Sequence, residues 1–107
     1  MSSLEDLGHV HFLGLAGVGV SAVARLMLAA GVPISGTDAK DLPVLDEFRS
    51  AGVPVRVGYS AANLASIQAE TGHRVDTLVA SSVATAGNPE YDAAAEAGAA
   101  VLHRSEG

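Results

Sequence analysis

Apolar residues gather into five short runs along this chain: Val10 to Leu15, Pro33 to Thr37, Val55 to Val57, Thr77 to Ser81 and Ala100 to Leu102. The runs are nearly continuous in Val, Leu and Ile rather than alternating with polar residues, the pattern of strands covered on both faces, as in a parallel sheet. Between them, Gly17 to Ala30, Pro43 to Ala51 and Pro89 to Ala97 read as helices, the last with Asn88 as N-cap and Pro89 in its first turn. Three junctions share one grammar: Ala30-Gly31-Val32-Pro33, Ala51-Gly52-Val53-Pro54 and Ala97-Gly98-Ala99-Ala100 each follow a helix and precede an apolar run. Glycine just past a helix can take the left-handed conformation that closes it, and proline is tolerated at the first residue of a strand. The remaining connection, Ser60 to Arg74, is the least regular, because Thr71-Gly72-His73-Arg74 interrupts its helical pattern.

The order β-α-β-α-β-α-β-α-β with right-handed crossovers predicts an α/β fold, a Rossmann-like doubly wound five-stranded parallel sheet ordered 3-2-1-4-5. At 107 residues the chain is long enough to close one core and is expected to be a single domain, residues 1–107. Abundant alanine and glycine let helices approach the sheet closely, which offsets an aromatic content of only 4%.

Composition narrows the chemistry. Six Lys+Arg against 12 Asp+Glu give a formal net charge of -6, which disfavours nucleic acid or an anionic membrane as partner. The 49% hydrophobic fraction argues against disorder. With no cysteine there is neither a disulfide framework nor a thiolate metal site. The acidic start, Met1-Ser2-Ser3-Leu4-Glu5-Asp6, lacks the basic-then-apolar order of a signal peptide, and no run reaches the roughly 20 apolar residues that span a bilayer. A soluble cytoplasmic domain is expected.

The candidate chemistry sits at strand ends. Gly14-Leu15-Ala16-Gly17-Val18-Gly19 joins the first strand to the first helix, where unpaired amides and the positive end of the helix dipole attract an anion. Read against G-x-G-x-x-G, the outer glycines match and Ala16 replaces the middle one. Asp38 ends the second strand in Ser35-Gly36-Thr37-Asp38, where a carboxylate can accept hydrogen bonds from ribose hydroxyls or a base N–H. Ser81-Ser82 ends the fourth strand, which in this topology flanks the switch point beside the first, so the two hydroxyls are expected to face the glycine loop. His9 and His11 share a strand face with no acidic partner nearby, so ordinary strand-end histidines are expected rather than a metal site. No G-x-x-x-x-G-K-[ST] is present, so nothing here would cleave ATP. The same loop and acid would also serve an NAD-binding dehydrogenase domain or a non-catalytic nucleotide-sensing module.

Four ordered motifs carry a resemblance. His11-Phe12-Leu13-Gly14-Leu15-Ala16-Gly17-Val18-Gly19-Val20-Ser21, then Ser35-Gly36-Thr37-Asp38, then Val79-Ala80-Ser81-Ser82-Val83 leading into Asn88-Pro89-Glu90, and finally Val101-Leu102-His103-Arg104-Ser105-Glu106 resemble the opening of the Mur ligases. The resemblance implies the first of three domains, which holds the UDP part of UDP-N-acetylmuramate, with the chain ending where the central ATPase would begin. It implies that Gly14, Leu15, Ala16, Gly17, Val18, Gly19 and Val20 surround the diphosphate, that Thr37 and Asp38 lie near the uridine, and that Ser81 and Ser82 line the same cleft. ATP, Mg2+ and L-alanine would be handled by the absent domains, leaving this chain to bind without catalysing. Ala16 and Val20 stand where the family usually has glycine and methionine, and Tyr59 where many members have histidine. Tyr59 is similar to the branch that recycles murein tripeptide, whereas Ser81-Ser82 is similar to the biosynthetic, alanine-adding branch.

Overall fold

The computed structural model describes residues 8–81 and 88–104, and in it the chain runs β1 (Val10–Leu13), α1 (Val18–Ala29), β2 (Ile34–Asp38), α2 (Pro43–Ser50), β3 (Val55–Val57), α3 (Ala61–Thr71), β4 (Thr77–Ser81), α4 (Pro89–Glu96) and β5 (Ala100–Arg104). The five strands form one sheet in the order β3-β2-β1-β4-β5, every pairing parallel. In the central registers Leu13 lies beside Thr37 on one side and Ala80 on the other.

Local chemistry explains the boundaries. Gly31, Gly52 and Gly98 hold φ of 86°, 87° and 87°, closing α1, α2 and α4 before the next strand as the junction grammar requires. Asn88 caps α4 by accepting from the amides of Glu90 and Tyr91, with Pro89 behind it. The segment from Ser60 is a regular helix after all. Ser60 accepts from the Ala62 amide at its start, and Gly72 at φ 75° ends it, where the sequence breaks the helical pattern. β1 stops two residues before the expected Leu15, because Gly14 turns the chain at φ 76° and the amides of Gly14 and Leu15 both bond the Thr37 carbonyl.

The two faces of the sheet are packed differently. Toward α1 and α2 the core is apolar, built on Val10, Phe12, Leu15, Ile34 and Phe48. Both phenylalanines are fully buried here, which concentrates the little aromatic content where it removes most surface from water. Leu15, a loop residue, is also fully buried, and its side chain fills the space above Gly36 that a Cβ would occupy. Burying a leucine is worth about 1.5–3 kcal/mol, so the loop is pinned into the core by its own second residue. On the opposite face the cluster of Leu13, Leu64, Val75, Leu78, Ala80 and Ala94 is interrupted by a seam of buried polar groups: His9, His11, Ser35, Thr37 and Glu90.

Candidate functional site

The glycine loop leaves β1 and enters α1 with most of its amides already engaged. Gly14 and Leu15 donate to the Thr37 carbonyl at 2.8 and 3.2 Å, Ala16 to Asp38 Oδ2 at 2.9 Å, and Gly17 back to the Gly14 carbonyl at 2.9 Å. Ser21 then donates to the Gly17 carbonyl at 2.7 Å, and Gly17 offers no side chain as a cap. Among the described residues the amides of Val18, Gly19 and Val20 therefore have no acceptor. They are the open N-terminus of a twelve-residue helix, carrying the partial positive charge of its dipole. Val18 is 89% exposed beside them. Gly17 needs no special conformation, with φ -64° and ψ 145°, but a Cβ there would lie 3.2 Å from the Gly14 carbonyl oxygen.

The other sequence-selected residues divide. Asp38, half-buried at the end of β2, holds the loop through Oδ2 and accepts from the Lys40 amide at 3.1 Å through Oδ1. Thr37 is fully buried and its hydroxyl turns inward, donating to Glu90 Oε1 at 2.7 Å; toward the loop it presents its carbonyl. Ser81 ends β4, one residue past the Leu13–Ala80 pairing, so its backbone lies at the same end of the sheet as the loop. Ser82 lies outside the described residues. Loop, Asp38 and the end of β4 thus gather at the carboxyl ends of three neighbouring strands, where the strand order reverses.

Beneath this end lies a cluster that the sequence did not announce. Glu90, in the first turn of α4, is fully buried, and its carboxylate accepts four hydrogen bonds. Oε1 takes His11 Nε2 at 2.8 Å and the Thr37 hydroxyl, and Oε2 takes the Ser60 amide at 3.1 Å and Asn63 Nδ2 at 2.7 Å. His11 therefore does have an acidic partner, 79 residues away, and both histidines are buried. Burial pushes the Glu90 carboxyl up, but the hydrogen bonds from His11, Asn63 and Thr37 outweigh it and hold the group below its ordinary value of 4.5. The available signal was the polar alternation His9-x-His11 and Ser35-x-Thr37 inside two apolar strands, since buried polar groups demand partners. Next to this cluster stands Tyr59, half-buried, its phenol close to the Gly14 backbone. Burial, then the carboxylates of Asp38 and Glu90, push its phenol up to about 12.

Protons can be placed along the seam. The His73 carbonyl only accepts, so His9 Nδ1, 3.3 Å away, donates to it. Burial holds His9 below its ordinary 6.5, so its Nε2 is bare and accepts from the Ser35 hydroxyl at 2.8 Å. Ser35 Oγ also lies 2.8 Å from His11 Nδ1, and His11 Nε2 reaches the Glu90 carboxylate. Nitrogen-15 spectra at neutral pH should show a proton on Nδ1 of His9 and none on its Nε2; a protonated Nε2 on His9 would reject the assignment. Acid should destabilise the fold in two windows. Below 6.5 the unfolded chain takes a proton at His9 that the folded chain refuses, and the stability due to Glu90, complete above 4.5, is lost as pH falls through its lower folded value. Urea denaturation between pH 7 and 3 reads both; stability unchanged from pH 7 to 5 would show that folded His9 accepts the proton.

Among the described residues no group of three or more His, Asp or Glu is placed to hold a metal ion. None of the described helices is long and apolar enough to cross a membrane. A groove of about 320 Å³ opens at the amino ends of the strands, lined by Val32, Pro33, Pro54, Glu70 and His73 among others, and lies away from the glycine loop.

Fold and loop together define a doubly wound α/β domain with an open helix N-terminus at its switch point. The Mur ligase family, catalytic domain, matches residues 9–107, and the chain belongs to that family. It is 54% identical over 106 residues to a UDP-N-acetylmuramate--L-alanine ligase of Paenarthrobacter aurescens (strain TC1), covering 99% of this chain and 22% of that protein. It is 55% identical over 104 residues to the ligase of the same name from Arthrobacter sp. (strain FB24), covering 97% of this chain and 21% of that one. The chain thus spans about a fifth of the curated relatives it matches. Among solved structures, UDP-N-acetylmuramate-alanine ligase MurC from Thermotoga maritima superposes with a TM-score of 0.79 at 25% identity, over 90% of this chain and 20% of that one. The UDP-N-acetylmuramate:L-alanyl-gamma-D-glutamyl-meso-diaminopimelate ligase from Neisseria meningitides gives 0.75 at 26% identity, over 91% of this chain and 28% of that one.

Proposed function

We propose that this chain is the N-terminal domain of a cytoplasmic ligase that joins L-alanine to UDP-N-acetylmuramate, and that it receives the UDP part of that substrate. The observation that carries the reading is the row of three unpaired amides, Val18, Gly19 and Val20, at the start of α1. A diphosphate there gains hydrogen bonds and a favourable dipole without needing a lysine, consistent with a chain that has only Lys40. Gly14, Leu15, Ala16 and Gly17 shape the approach, because their own amides are spent on holding the loop. Asp38, with a carboxylate partly open to solvent, lies on the side where the nucleoside would extend, and Ser81 and Ser82 would border the same cleft from β4.

The names of the relatives support this substrate: UDP-N-acetylmuramate is common to the alanine ligases and to the Neisseria enzyme, while the group joined to it differs. A domain that holds only the shared half would not choose between them; the identity to alanine ligases favours L-alanine. ATP and Mg2+ belong to the rest of such an enzyme. The sequence has no phosphate-binding lysine loop, and this chain would bind and orient the uridine substrate without catalysing.

Calorimetric titration of the chain with UDP-N-acetylmuramate, NADH and AMP should give saturable heat with the uridine ligand alone. Saturation by NADH instead would identify a dehydrogenase-type domain, and by AMP a sensing module.

A further inference from the structure

We infer that Glu90 and Asn63 are positioning residues of the cleft: by holding the corner between β3 and α3 they keep Tyr59 against Gly14 at the base of the glycine loop. The inference rests on the proposed function for its ligand and on geometry for everything else. Glu90 Oε2 takes the Ser60 amide and Asn63 Nδ2, and Asn63 Nδ2 also donates to the Gly58 carbonyl at 2.8 Å. Residues on both sides of Tyr59 are thus tied to one carboxylate that is itself anchored to β1 and β2 through His11 and Thr37. The glycine loop hangs from the same piece of β2, by the Thr37 carbonyl and Asp38. Tyr59 and the loop are therefore referred to one rigid base. Glu90 would touch no ligand; it acts through the tyrosine.

The groups that face Tyr59 fix its behaviour. Asp38 from β2 and Glu90 from α4 bring negative charge toward it, and the Gly14 backbone lies close to its phenol. With its phenol pushed up to about 12, Tyr59 stays neutral through the physiological range and keeps a hydroxyl to offer. A neutral donor beside the loop suits an anionic, hydroxyl-bearing ligand, to which a phenolate would be repulsive.

Asn63→Ala tests this in the full 107-residue chain, because it cuts the hold on the corner and leaves the His11–Glu90 pair in place; Glu90→Gln is the more severe companion. In the free protein, folded by circular dichroism, Asn63→Ala should lose the nuclear Overhauser contacts between the Tyr59 ring and Gly14. It should also weaken UDP-N-acetylmuramate about tenfold, the size of one hydrogen bond to a charged group. In a Tyr59→Ala background the same substitution should change affinity no further, a coupling that a loss of stability alone would not produce. Retained Tyr59–Gly14 contacts in folded Asn63→Ala, or an equal loss of affinity in both backgrounds, would overturn the inference. If the unaltered chain takes up no uridine ligand, the proposed function fails, and the contacts in the free protein still decide the positioning.

Discussion

Glu90→Ala should lower the stability of the domain by about 3 kcal/mol or more, since each buried donor left without its acceptor costs about 1–3 kcal/mol. The carboxylate and His11 are both fully buried, so water cannot replace what is lost. The substitution leaves four donors without their acceptor: His11 Nε2, the Thr37 hydroxyl, the Ser60 amide and Asn63 Nδ2. Helix α4 itself keeps its cap, since Asn88 supplies that separately. The damage is therefore to the seam between sheet and helices, and it should exceed that of cutting the exposed Arg25–Glu47 pair, whose members are about half open to solvent. Urea denaturation at pH 7 measures it. A loss below about 1 kcal/mol would put the cluster on a par with surface pairs and contradict the reading of Glu90 as the acceptor that holds the seam.

Gly36→Ala should cost about 1–3 kcal/mol through overpacking and, unlike most core substitutions, should reach the ligand loop directly. A Cβ on Gly36 would lie 2.6 Å from Leu15 Cδ2 and 3.0 Å from both Cβ and Cγ of the same side chain. β2 cannot retreat, since β1 and β3 pair with it on either side. Leu15 must move, and with it the turn that presents Val18, Gly19 and Val20. Stability and uridine-ligand affinity should fall together. Trimming the intruded side chain, as Leu15→Val in the Gly36→Ala background, should restore part of both. Denaturation and calorimetry on the single and double variants read the pair, and an unchanged affinity in Gly36→Ala would separate Leu15 from the loop's function.

Much of the fold was legible because its signals are local. Continuous apolar runs named the five strands, glycine after alanine named three helix ends, and Asn88-Pro89 named the start of α4. The end of α3 was legible in the same way: the helical pattern breaks at Thr71-Gly72, and the helix stops there. The loop's place was legible from glycine spacing. Which of its amides are free was not, because that depends on the Thr37 carbonyl and the Asp38 carboxylate arriving from β2. Thr37 shows the limit most clearly. The resemblance implied that Thr37 lies near the uridine, but alternation along β2 sends its hydroxyl inward to Glu90. The His11–Glu90 contact joins residues brought together only by the sheet order and the packing of α4, and no spacing rule spans 79 residues.

The attachment of the glycine loop to β2 has a thermodynamic corollary. Four successive amides, from Gly14 to Gly17, are bound to the protein's own acceptors, and Leu15 is locked into the core. Such a cradle is preorganised: the ordering entropy that a floppy loop would surrender on association has already been spent during folding. On the proposed function, an arriving anion would meet a rigid receptor rather than have to mould one, and changes at Asp38 or Gly36 would act by softening that receptor before any ligand is met.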